Sequence, residues 1–432
     1  KDSVPPEQVS SADGGRPMIP DNLLDRARHA LRQRFAPPSM HSSRGWKLRR
    51  WNNCWWRHDG VKYTLLDDEA LAADLRPWLN KFWHMKRGTP VPLNPSEKSV
   101  HEVIANLQTD TKVISDGMPY WIRPEFSGDG EPLFEQYRPW ERVVEVDAGD
   151  GENYPDPMEM ISFANGLFDI NKWIDGEVRL IPHTELLFSS TALPFACPVD
   201  RLKEVSGDPE ALDEAIAELC PVWMEFLGLV SGGDPGWEQL LCQFFGYCLT
   251  PWTKYEIVLV MSGASRGGKG TILQALVSLL GDANVAASDI NLLTDRFHLH
   301  TLVGKTLAVM PDADVGRNTD AVRAAETLKK ISGGDPVYVD RKNVDALAAV
   351  RLYCKILIMC NRMPSLPDPS GAIANRFRVL EFEESFAGKE DLKFKDPQIM
   401  KAEAMGRMLW ALKGLRILAK RQKFEQPKAG EE

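Results

Sequence analysis

Between Ile257 and Leu280 an apolar strand, a glycine-rich turn and a helix follow one another without a gap, and few local patterns restrict a fold more tightly. Ile257-Val-Leu-Val-Met261 is a continuous apolar run with the length of a buried strand. It enters Gly263-Ala264-Ser265-Arg266-Gly267-Gly268-Lys269-Gly270-Thr271, after which Ile272, Leu273, Leu276, Leu279 and Leu280 recur at helical spacing. A turn of this kind aims backbone N–H groups at one point, and the helix N-terminus adds partial positive charge. It suits a phosphate group, with Lys269 placed to bridge β- and γ-phosphate oxygens. One position departs from the common pattern. Gly270 stands where Ser or Thr ordinarily holds Mg²⁺, and a hydroxyl comes one place later at Thr271.

Three later segments read as companions of that loop. The apolar run Thr306-Leu-Ala-Val-Met310 delivers Asp312 and Asp314 to its end, carboxylates suited to holding Mg²⁺ and activating water. The run Lys355-Ile-Leu-Ile-Met-Cys360 ends in Asn361, a polar group placed to orient an attacking water. Asn375-Arg376-Phe377-Arg378 offers two guanidinium groups for transition-state charge. Between the second and third segments, Ser332-Gly-Gly-Asp335 leads into a hairpin whose tip carries Arg341 and Lys342, cations suited to phosphates along a strand. Taken singly, each of these is also an ordinary turn or a solvated surface; their order along the chain is what joins them.

The rest of the chain bounds the problem. Its 432 residues exceed one ordinary core, and 43% hydrophobic with 26% charged residues is a globular balance. A net charge of −9 argues against coating nucleic acid with the whole surface, though a local basic strip remains compatible with gripping a strand. Such a strip runs from Asp21 to Arg57, with nine Lys and Arg residues and with Trp46, Trp51, Trp55 and Trp56 interleaved. It reads either as a single-strand groove with stacking platforms or as a helix followed by a Trp-rich strand pair building a small core. Leu71 to Leu79 reads as a helix that Pro77 should break. Seven cysteines without a CxxC point to core thiols in a reducing cytosol. No run of about 18 apolar residues is present, so no membrane partner and a cytoplasmic location are expected.

The order of motifs resembles the helicase part of phage and plasmid primase–helicases, in superfamily 3 of the AAA+ ATPases and related to the poxvirus nucleoside triphosphatase. The resemblance rests on Ile161-Ser-Phe-Ala-Asn-Gly-Leu-Phe-Asp169, Phe245-Gly-Tyr-Cys-Leu-Thr-Pro251, the Gly-Gly-Lys-Gly-Thr loop, and Arg296-Phe297 with Leu302-Val-Gly-Lys305. It continues through Ser-Gly-Gly-Asp335, Asn361, Arg376 and Gly406-Arg-Met-Leu-Trp410-Ala-Leu-Lys-Gly414. It implies an α/β P-loop AAA+ core with an N-terminal α+β domain and a helical collar. The expected boundaries are a flexible arm at 1–20, the α+β domain at 21–205, the collar at 206–255, the ATPase core at 256–385 and a C-terminal helical segment at 386–432. It further implies ATP and Mg²⁺, a homo-oligomer, usually a hexamer, around single-stranded DNA, and hydrolysis completed between subunits.

By position, Lys269 binds phosphate, Asp312 is the acidic metal-side residue with Asp314 sharing its role, and Asn361 is the sensor. Arg376 is the first candidate for a finger in trans and Arg378 the second, while Arg341 and Lys342 fall in the central-channel hairpin. The family often carries Glu where Asp312 stands. No primase domain is read before residue 60, so priming and origin recognition are expected on another chain, such as a separate primase or origin-binding protein, on a missing part, or nowhere. The alternatives are a DNA-binding assembly or defence module switched by ATP without strand separation, and a P-loop small-molecule kinase.

Overall fold

The computed structural model describes residues 17–35, 47–113, 117–122, 125–126, 132–133, 144–147, 149–295, 297–311, 320–341, 344–364, 366 and 371–427. Contacts divide the chain into two compact units: Lys1–Ser115 with Ile122–Trp140, and Asp116–Trp121 with Glu141–Glu432. The boundary expected at residue 205 lies inside the second unit.

In the first unit, helices Leu23–Arg34, Asp68–Leu79 and Glu97–Thr111 accompany a four-stranded sheet. Its strands Leu48–Trp51 and Cys54–His58 form a tight hairpin. Trp51, Trp55 and Trp56 are buried, so these rings build core. Four arginines of the basic stretch are answered within the same unit: Arg28 by Asp110 at 2.9 Å, Arg34 by Asp74, Arg50 by Asp68 at 3.3 Å and Arg57 by Asp74 at 3.6 Å. Of the two readings of this stretch, the described residues follow the core. Trp46 and Arg44 lie outside them.

Pro77 does not break its helix. Asp67 caps the start by accepting from the Ala70 amide, and the helix runs to Leu79 with Pro77 in its last turn. Ala73 and Pro77 are both exposed, so the carbonyl that loses its partner to proline faces water.

In the second unit the five-stranded sheet is wholly parallel. Its strands are β1 (Val258–Gly263), β2 (Val285–Ala287), β3 (Leu307–Met310), β6 (Lys355–Cys360) and β7 (Phe377–Phe382), in the order β2-β3-β6-β1-β7. The numbers β4 and β5 belong to a separate antiparallel hairpin, Pro336–Arg341 and Val344–Arg351. Strands this apolar are buried on both faces, as a parallel sheet requires.

Helices α1 (Pro209–Leu219), α2 (Pro221–Val230) and α3 (Pro235–Cys248) pack with α7 (Ala404–Arg421) into the same core as the sheet. The numbers α4, α5 and α6 are given to Lys269–Leu280, Ala321–Gly333 and Ala372–Arg376. The α3–α7 crossing is set by two glycines. A Cβ on Gly414 would lie 2.0 Å from the Cys242 carbonyl oxygen, and one on Gly246 would lie 2.4 Å from that of Ala411. Trp223, Phe245 and Trp410 fill the space beside this close approach, with ring centroids 5.2 to 5.6 Å apart. The N-terminus of α2 lacks a side-chain cap of its own. Instead the buried Glu403 carboxylate accepts from the Val222 and Trp223 amides at 2.8 and 3.0 Å, tying α2 to the segment that opens α7.

Six of the seven cysteines are buried and all are free. Burial pushes the thiols of Cys197, Cys220, Cys242, Cys248 and Cys354 up to about 12, so they stay protonated and behave as small apolar groups. Among the described residues no helix is long and apolar enough to cross a membrane.

Candidate nucleotide site

The sheet's strand order places β1 at a reversal. From β1 the chain moves to the far edge at β2, works back through β3 and β6, and finally sets β7 on β1's other side. In open α/β sheets, ligands bind outside the carboxyl ends of the strands at such a point. The loop 263–271 leaves β1 there.

Its backbone is folded in a way that side chains would obstruct. Gly263 has φ +124° and a Cβ on it would sit 2.3 Å from the Phe382 carbonyl oxygen. Gly268 has φ +105° and a Cβ there would meet Val230 at 2.9 Å. The loop therefore presses on the end of β7 on one side and on α2 on the other, which explains glycine at both places. Outer braces complete it. The Ala264 amide donates to Phe382 O at 2.8 Å, the Ser385 hydroxyl to Ser265 O at 2.8 Å, and the Phe386 amide to Arg266 O at 3.2 Å. Arg266 pairs with Glu390 at 2.8 Å, and hydrogen bonding to local backbone and to Arg266 holds the Glu390 carboxyl below its ordinary value.

Lys269 opens α4, and its ammonium donates to the carbonyls of Gly263 and Ala264 at 2.7 and 2.8 Å. It thus lies over the loop's own concavity, where it can exchange carbonyls for phosphate oxygens. The Gly267 amide is given to Ala264 O at 3.2 Å within the loop, so the N-terminus of α4, with its partial positive charge, is the part that fits a polyphosphate. For Mg²⁺ the described residues offer less. Thr271 is buried in the first turn of α4, Gly270 is exposed, and a Cβ on Gly270 would have no heavy atom within 4 Å. Asp312 and Asp314 lie outside the described residues. Among the described residues no cluster of three or more His, Cys, Asp or Glu could hold a metal.

Strand pairing brings Asn361 alongside the loop. β6 pairs with β1 through Ser262 and Cys360, so Asn361 leaves its strand beside Gly263 and is exposed there. Arg376 and Arg378 do not join it. β7 pairs with β1 from Val258–Phe377 to Gly263–Phe382, which puts both arginines at the amino end of the sheet. Five to six residues of strand separate Arg376 from the loop, roughly 17–20 Å. Arg378 turns back on its own chain, donating to the Asn375 and Phe377 carbonyls at 3.0 and 2.9 Å, and burial lowers its pKa. Arg376 is held by Glu256 at 2.6 Å, by the Ser332 hydroxyl at 3.2 Å and by Lys329 O at 3.3 Å.

The β4–β5 hairpin forms with Arg341 paired to Val344 at its distal end, and Lys342 lies outside the described residues. The participants that sequence reasoning missed are the braces, Ser385 and Glu390, and Glu256 beside Arg376; Ser332 stands in a motif already singled out, though without its contact to Arg376. Each stands more than 40 residues from what it touches, so no local pattern announces it.

A family described as "Family of unknown function (DUF5906)" matches residues 261–376, from the end of β1 through Arg376. No curated protein matches the chain. Among solved structures, the apo C-terminal region of NrS-1 is similar with 16% identity and a TM-score of 0.34, over 48% of this chain and 48% of that one. JCV helicase is similar with 15% identity and a TM-score of 0.29, over 52% of this chain and 74% of that one. The chain therefore spans about half the length of the NrS-1 region that it matches.

Proposed function

We propose that the chain is an ATP-dependent, ring-forming DNA helicase of the AAA+ superfamily 3 type, translocating on single-stranded DNA for a phage, plasmid or integrated element. The observation that carries this reading is the separation of Arg376 from the loop. A phosphate cradle at one end of the sheet and a cation at the other, roughly 17–20 Å apart along β7, cannot meet within one chain. They can meet when copies stack head to tail, and a repeated heterologous contact forms a ring where its rotation closes.

In this reading the loop 263–271 binds the triphosphate, Lys269 leaves its two carbonyls for the β- and γ-oxygens, and Asn361 orients water at the γ-phosphate. Mg²⁺, when bound, would neutralise phosphate charge, with Thr271 and Asp312 as its candidate holders and Asp314 beside them. Arg376 of the adjoining copy adds transition-state charge. Arg341 and Lys342, at the hairpin tip, take DNA phosphates.

The test is a forked DNA substrate with wild type and Lys269→Ala. Wild type should hydrolyse ATP and separate strands, and Lys269→Ala should lose both by about 10²–10³-fold, the scale for removing a principal charge-stabilising donor. Hydrolysis stimulated by single strands but without any strand separation would instead favour an ATP-switched assembly. Phosphorylation of a small-molecule acceptor would favour a kinase.

A further inference from the structure

Arg376 is fastened inside its own subunit by groups from two elements that meet at the amino end of the sheet. Its Nη1 donates to Ser332 Oγ and Lys329 O, both in the last turns of α5, at 3.2 and 3.3 Å. Its Nη2 faces Glu256 Oε2 at 2.6 Å. The two nitrogens are held differently. The Nη1 partners are neutral, and Ser332 is itself buried and bonded to Leu328 O at 2.8 Å. This contact is a fixed pivot on the helix. The Nη2 partner is a carboxylate whose side chain is 52% exposed, against 18% for Arg376. That half of the clamp is open to solvent and to whatever approaches.

Glu256 has a second distinguishing property. Its φ is +51°, the left-handed region that a residue with a Cβ seldom adopts outside sites where the surroundings demand it. It stands two residues before β1, and β7 begins opposite Val258. The turn thus presents a carboxylate at the place where Arg376 leaves α6.

We propose that Glu256 is the resting counterion of Arg376 and is exchanged for the γ-phosphate of a nucleotide bound by a neighbouring copy, making Glu256 a positioning residue for hydrolysis in trans. This rests on the ring reading above. The physical basis is charge balance. A guanidinium pointing into a subunit boundary without a counterion is costly to desolvate, and a carboxylate on the same chain removes that cost while the boundary forms. A phosphate offers more oxygens and more charge in a geometry that suits the same fork, so it displaces the carboxylate without moving the Nη1 pivot. ADP lacks the displacing group, so Glu256 recaptures Arg376 after phosphate leaves. The pair accordingly discriminates triphosphate from diphosphate at the boundary.

The experiment compares ATP and ADP affinity in assembled wild-type protein, Glu256→Gln and Glu256→Gly. Glycine suits the positive φ, so it keeps the test usable if glutamine perturbs the turn. Both variants should lower the ATP KM, by about 2–5-fold as expected for loss of a partly exposed competing ion pair, and leave ADP affinity as in wild type. In an Arg376→Ala background, where ATP affinity is read by direct binding because hydrolysis is lost, the same changes should have no effect. Equal shifts for ATP and ADP, or no shift in either variant, would overturn the counterion proposal while leaving the ring intact. Wild-type protein that does not hydrolyse ATP, or whose hydrolysis survives Arg376→Ala, would overturn the ring reading and this inference with it.

Discussion

The two ends of the five-stranded sheet are built from different materials. Among the described residues the carboxyl end is mostly backbone: a glycine loop, a helix N-terminus and Lys269 resting on two carbonyls. At the amino end it is side chains. Arg376 is clamped by Glu256 and α5, Arg378 is folded back on itself, and Lys355 is buried at the start of β6. One end gathers a lysine and a helix N-terminus at one point, braced by the Arg266–Glu390 pair, and the other holds cations that groups of its own chain satisfy. Complementary ends on one rigid sheet are what head-to-tail assembly needs.

The largest effect that would break this contrast is at Arg376. Arg376→Ala should reduce the hydrolysis rate of assembled protein by about 10³–10⁵-fold, the scale for a finger in trans. Because the residue is far from its own loop, nucleotide binding to the isolated protomer should not change. Steady-state ATPase at high protein concentration, beside ADP titration at low concentration, checks both halves. Loss of ADP binding by the protomer would mean that Arg376 supports its own loop through the fold.

Lys355 sharpens the same contrast through pH. Its ammonium donates to Thr250 O and to Tyr353 O at 3.3 Å and lies 4.9 Å from the Tyr247 ring centroid. Burial pushes its pKa from 10.5 down to about 8. Below about pH 8 the folded chain carries a buried charge, while between pH 8 and 10.5 only the unfolded chain keeps the proton. Folding stability should therefore rise with pH across that window and be lowest, and flat, beneath it. Lys355→Met should remove the rise and add on the order of 2–3 kcal/mol at pH 7, less what is lost at the Thr250 carbonyl. Urea midpoints at pH 7 and pH 9.5 read it directly. A variant less stable at pH 7 would show that the carbonyls and the ring more than compensate the buried charge.

The smallest expected effect lies at the loop. Gly270 is exposed with open space beside it, so a side chain fits there. Gly270→Ser should fold normally, gain a few tenths of a kcal/mol from helix propensity, and lower the Mg²⁺ concentration needed for half-maximal hydrolysis. An unchanged metal requirement would point to Thr271 as sufficient.

What could be read from sequence was whatever is written locally. The strand into Gly263, the helix after Lys269, the strands ending at Met310 and Cys360, and the β4–β5 hairpin all follow from runs of apolar residues punctuated by turns. Pro77 shows the limit of a local rule, because its cost depends on whether the abandoned carbonyl faces water. What could not be read was strand order. Asn361 reaches the loop only because β6 pairs with β1, and Arg376 is excluded from it only because β7 pairs with β1 in a given register. Glu256 and Arg376 are joined by that same register across 120 residues, which no spacing encodes. The tryptophans near residue 51 allowed both a groove and a core, and burial chose the core.

The central claim is that one hydrolysis site needs both ends of the sheet from two copies. The most direct measurement mixes Arg376→Ala protein, which keeps an intact loop, with Lys269→Ala protein, which keeps an intact arginine. Each alone should be inactive, and mixed assemblies should regain ATPase with a maximum near equal proportions. Mixed assemblies that demonstrably form and regain nothing would contradict the account.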